Sequence, residues 1–155
     1  MDLATRDNAL ALLQELMSEE KRLSKLLTIK DESRELNQLV RTISENADRV
    51  EDRLKPFERR EHRPSRNPAD LPPGEVAARE SMARVKHQLL AQSKGSEFEL
   101  HLLLAEAESL NYAIHLARVA GENEPQSAAA EEYNNMSMRF KELYHRVLGM
   151  LRSRR

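Results

Sequence analysis

Apolar residues recur along this chain at intervals that alternate between three and four. The first row is Ala9, Leu13, Leu16, Leu23 and Leu27, with Glu20 standing in the missing slot. The second is unbroken: Leu36, Val40, Ile43, Ala47, Val50, Leu54 and Phe57. A third reads Leu100, Leu103, Ala107, Leu110, Ile114 and Ala117, and a fourth Ala129, Tyr133, Met136, Phe140, Leu143, Val147 and Met150. A 3–4 alternation places every member on one face of a helix and leaves charge on the other. Four stripes of similar length bury themselves best against one another, so the pattern predicts an all-α fold built as a left-handed four-helix bundle.

The punctuation sets the boundaries. Core helices are expected at about 3–29, 32–60, 97–120 and 126–153 of a single domain, 1–155. Lys30 and Asp31 leave almost no loop between the first two, which must run antiparallel, with Asp31 as N-cap. Gly95 suits a left-handed helix end, and "SEFE" (Ser96 to Glu99) is a capping-box pattern. Gly121 and Pro125 bracket the last turn, and the terminal "RSRR" complements a helix dipole. Between residues 61 and 96, Pro64, Pro68, Pro72 and Pro73 bar regular helix at first. Ala78, Met82, Val85 and Leu89 then make one short amphipathic helix, at about 75–93. A thirteen-residue extended segment reaches roughly 40 Å, enough to return the chain to the far end of a bundle. The stretch is expected to be a long proline-containing crossover that carries the short helix as a lid.

Composition narrows the function. Charged residues make up 33% and the formal net charge is −1, so no global field recruits nucleic acid or acidic lipid. The absence of cysteine excludes disulfides and thiolate chemistry. The opening "MDLATRDNAL" lacks the features of a signal peptide, and no membrane span is expected.

Three clusters invite a chemical reading. Arg59, Arg60, Arg63 and Arg66, with His62, form a basic patch, but Glu58 and Glu61 dilute it and no aromatic is interleaved for stacking on bases. Nucleic-acid binding is therefore not expected. Glu142 and His145 have the E-x-x-H spacing of di-iron bundles, with Glu45 and Asp48 the nearest second pair. At about 100° per residue both pairs fall outside the apolar stripes and should face water. Glu20 occupies a seam position, and Glu106 sits at the edge of the third seam. A carboxylate there needs a partner, for which Arg139 is available, or else a raised pKa. Two carboxylates without an inward histidine are too few for iron. His87, His101 and His115 read as surface residues, and no Ser–His–carboxylate relay or phosphate loop is visible.

The order long–long–linker–short–long–long, with "KGSEFELHLLLAEAESLNYAIHLARVAGENEPQSAAAEEY", resembles a bacterial ferritin-like family of uncharacterised and outer-membrane-labelled proteins. In that family a glycine and an acidic–phenylalanine pair open the third core helix, as Gly95, Glu97 and Phe98 do here. The resemblance implies a ferritin-like bundle and a cell-envelope location. Many family members carry an acidic–histidine pair within several helices. The matching positions here, Glu45–Asn46, Ser109–Leu110 and Glu142–Leu143, lack the histidine. The expectation is thus a non-catalytic bundle, without cofactor or metal, that is structural or binds partners. A metal-handling di-iron bundle and an adaptor with a helix-binding groove are its rivals. The first helix is apolar beyond its seam, at Leu10, Leu12, Leu26 and Ile29, which predicts a second surface covered by the short helix or by another subunit, and a homodimer is expected.

Overall fold

The computed structural model describes residues 1–27, 33–61 and 71–154, and side chains at 1–25, 33–56 and 71–154. It is all-helical over these residues: α1 (Leu3–Leu27), α2 (Arg34–Glu61), α3 (Pro73–Gln92), α4 (Gly95–Glu122) and α5 (Ser127–Arg152). Asp2 caps α1 by accepting from the amides of Ala4 and Thr5 at 3.0 and 3.3 Å. Ser33 caps α2, its Oγ accepting from the Leu36 amide at 3.3 Å. Asp31, expected in that role, lies outside the described residues, as does most of the extended crossover.

Cross-helix contacts give the directions. Lys21 of α1 meets Asp48 and Glu51 of α2 at 3.1 and 2.9 Å, while the Gln14 amide donates to the Leu54 carbonyl, so α1 and α2 are antiparallel. Arg6 near the start of α1 reaches Glu124 just past α4 at 3.1 Å, so α1 and α4 are antiparallel as well. Arg53 of α2 pairs with Glu132 of α5 at the same end. At the opposite end, Glu99 of α4 accepts from the Ser33 amide and from Arg154, at 3.3 and 3.2 Å. Glu99 therefore ties three elements together instead of closing the expected capping box, and the cap position, Lys94, carries no side-chain bond.

The core is contributed by α1, α2, α4 and α5, with Leu90 alone from α3. The α2 row is buried from Leu36 through Leu54, and α5 buries Tyr133, Met136, Phe140, Leu143 and Val147. In α4 the buried surface is wider than the expected row. Leu103, Leu110 and Ala117 of that row are buried, and so are Phe98, Leu102, Glu106, Ala113 and Ala120 beside it, while Leu100 is exposed and Ala107 and Ile114 are half-buried. On α1, Leu10 is fully buried and Leu12 packs against the core, so part of the breadth read as a second surface is absorbed within the chain.

The return between α2 and α4 is made in part by α3 itself. Its 20 residues span about 30 Å of helix rise. It runs antiparallel to α4, with Arg79 at Tyr112 and Lys86 at Glu108. The turn into α4 is tight, and Gly95 takes φ +60 as the first residue of α4, where a side chain would be strained.

Candidate functional site

Two features stand out on this scaffold, and α3 connects them. The first is a pair of carboxyls inside the bundle. Glu20 on α1 and Glu106 on α4 are 3% and 1% exposed, and in ionised form neither receives a hydrogen bond from an N–H or O–H group. Each carboxyl lies within hydrogen-bonding reach of the other, with the Ser109 hydroxyl beside Glu20. Burial pushes the Glu20 carboxyl up. The hydrogen bond with Glu106, Ser109 and the Lys86 ammonium oppose that rise, and Glu19 adds to it. Burial also drives Glu106 well above its ordinary value, reinforced by the negative charge of Glu20 and the hydrogen bond between them. Both directions fit one arrangement, with the Glu106 hydroxyl donating to the Glu20 carboxylate. Arg139, expected as a partner, instead pairs with exposed Glu142 at 2.8 Å.

Two carboxyls without a histidine are a thin ligand set for a transition metal. Here two carboxyls meet one hydroxyl and a lysine ammonium, and no group of three or more His, Asp or Glu gathers among the described residues. Glu142, His145, Glu45 and Asp48 are all exposed, so the E-x-x-H spacing points to water as expected. His62, Arg63 and Arg66 lie outside the described residues, as do the side chains of Arg59 and Arg60.

The second feature is the orientation of α3. An amphipathic helix that lies on a bundle as a lid ordinarily turns its apolar stripe inward, and this one does not. Val85 is 61% exposed, Met82 57% and Leu89 42%, whereas Leu90, about 140° around the helix from Val85, is buried. The reason lies in the inward face. Arg79 stacks over the Tyr112 ring, 5.6 Å from its centroid, and donates to its hydroxyl at 3.1 Å. His87 meets Glu19 of α1 at 3.0 Å, and Lys86 lies 3.7 Å from Glu108 while its charge acts on both buried carboxyls. Basic groups on α3 thus face an acidic surface on α1 and α4, and Met82, Val85 and Leu89 are turned outward. With Leu104 of α4 they line a groove of ≈ 420 Å³ between the two helices, and exposed Leu100 follows one turn along.

Sequence reasoning found Glu20 and Glu106 but placed Glu106 at a seam edge. It missed Lys86, which lies across from Glu108 as its neighbour His87 lies across from Glu19. No helix among the described residues is long and apolar enough to cross a membrane. No protein-family model, curated protein or solved structure matches the chain.

Proposed function

We propose that this chain is a non-catalytic, ferritin-like helical bundle that acts through protein contact, and that its contact is with a second copy of itself through the α3–α4 face. The ferritin-like reading is supported by the helix directions: an antiparallel α1–α2 hairpin, a long return, and two further helices, of which α4 runs against α1 and α5 against α2. The self-contact reading rests on one observation, the outward stripe of Met82, Val85 and Leu89 on a helix that is amphipathic by sequence.

That face is self-complementary in shape. It carries a ridge, the α3 stripe, beside a trough, the groove bounded by Leu104, so a two-fold axis can set each ridge into the other copy's trough. Five exposed apolar side chains make a patch on the order of 400 Å², within the range of a monomer's largest patches, many of which are functional. Two such patches bury about 800 Å², below the roughly 1,200 Å² of stable complexes, so the dimer is weak and concentration-dependent.

Sedimentation equilibrium from micromolar to millimolar concentration tests this. The mass should rise toward twice 17.9 kDa. Val85→Glu should hold the protein monomeric with unchanged helicity. A wild-type chain that stays monomeric throughout rejects the self-contact. Stoichiometric iron, manganese or zinc in purified, folded protein would instead move it to the metal-handling bundles.

A further inference from the structure

Two carboxyls on different helices face each other in the dry middle of the bundle, and nothing in the proposed self-contact uses them. An ionised carboxylate in such a place is costly, and two side by side are costlier because their charges repel through a medium that screens poorly. A side chain that only filled space would be leucine at far lower cost. We propose that Glu20 and Glu106 form a proton-linked lock across the α1–α4 seam: one proton held between the two carboxyls closes the seam, and its loss to solvent leaves two opposed charges that loosen it.

The surroundings make the proton the main variable. On α1, Glu19 adds negative charge and is engaged by His87 of α3 at 3.0 Å. On α3, Lys86 is a cation that acts on both carboxyls, and it is shared with Glu108 of α4 at 3.7 Å. On α4, Ser109 contributes a neutral hydroxyl. The acids that α2 presents to α1, Asp48 and Glu51, are held by Lys21. On α5, Arg139 is bound to Glu142. Lys86 tempers the repulsion without replacing the proton, because it stands at the α3 side and is not hydrogen-bonded to either carboxyl.

The sign follows from linkage. Unfolded, both glutamates titrate near their ordinary value of 4.5. Folded, both are raised, so above that value the native state holds a proton that the unfolded chain has released. Stability from the pair is therefore complete below the ordinary glutamate value. It falls as pH rises, until the folded pair itself ionises. Two apparent titrations belong to the pair jointly, not to either residue alone. Exposed Asp2 and Asp52 act in the opposite sense. Both are lowered, Asp2 first by the Thr5 hydroxyl and Asp52 first by Lys55, so their contribution is lost as pH falls.

A double variant, Glu20→Gln with Glu106→Gln, keeps the shape and removes the proton, while the contributions of Asp2 and Asp52 cancel in the comparison. The ratio of the wild-type unfolding constant to that of the variant should increase by up to ~tenfold per pH unit above about pH 5. A ratio that does not change with pH overturns the lock. A second reading uses the wild type alone. Infrared spectra of the folded protein, taken about one to two pH units above the ordinary glutamate value, should show the carbonyl stretch of a protonated carboxyl, which largely vanishes on unfolding at the same pH. Its absence from the folded state overturns the lock as well. So does a rise in melting temperature on adding manganese or zinc that the double variant lacks, since the carboxyls would then hold a cation.

Discussion

The two sides of α4 are built on different principles. Toward α5, apolar side chains interdigitate: Leu103, Leu110 and Ala117 are buried on one helix, and Tyr133, Phe140, Leu143 and Val147 on the other. Toward α3 there is one buried leucine, Leu90, and otherwise a set of polar contacts from Arg79, Lys86 and His87. The first arrangement gains from area removed from water and is indifferent to charge. The second gains little energy, because exposed ion pairs are worth only about 0–1 kcal/mol. What it supplies is orientation. Polar clasps decide which face of α3 turns inward, and so the apolar stripe is left outside.

Substitutions can sharpen that contrast. Phe140→Ala, on the apolar side, should cost about 3–5 kcal/mol by denaturant unfolding and lower the midpoint for the whole bundle. A cost near zero would mean that the α4–α5 seam is not the main store of stability. Leu90→Ala should cost less, about 2 kcal/mol, near the bottom of the range for core leucines because its helix is covered on one side only. Its effect should concentrate in the amide exchange of α3, whereas uniform loosening of all five helices would contradict a separately held α3. Arg79→Ala should cost under about 1 kcal/mol and increase exchange within α3, since it removes a ring contact and a hydrogen bond at a half-exposed position. A loss as large as that of Phe140→Ala would place the clasp, not the core, in charge of folding.

The same contrast explains what was legible beforehand. The rows of α2 and α5 could be read directly because each is a single apolar line with charges on the remaining faces, so only one rotation buries it. The α4 helix carries apolar residues around more than half its circumference. The rows through Leu100, Leu103 and Ala107 and through Leu102, Glu106 and Leu110 are then both helical in period. Only the neighbours decide how far each is covered, and the first is buried in part and the second throughout. For α3 the periodicity shows an amphipathic helix but not which face turns toward the core. The stripe is left outside here because the opposite face carries Lys86 and His87, which match Glu108 and Glu19 on the surface beneath. The carboxyl pair was legible as two residues, Glu20 filling a gap in one apolar row and Glu106 bordering another, but that they meet each other and not Arg139 depends on how the helices pack.

Because the chain has no cysteine, a single introduced thiol reports directly on which face of α3 is outward. Val85→Cys and Leu90→Cys, each labelled at low concentration with a thiol reagent, should differ sharply. The thiol at 85 should react about as fast as in the unfolded chain, and the thiol at 90 should be protected. Raising the protein concentration should then slow the reaction at 85 as copies associate. Fast labelling at 90 with protection at 85 in the dilute monomer would mean that α3 packs stripe-inward, and the account of its outward face would be wrong.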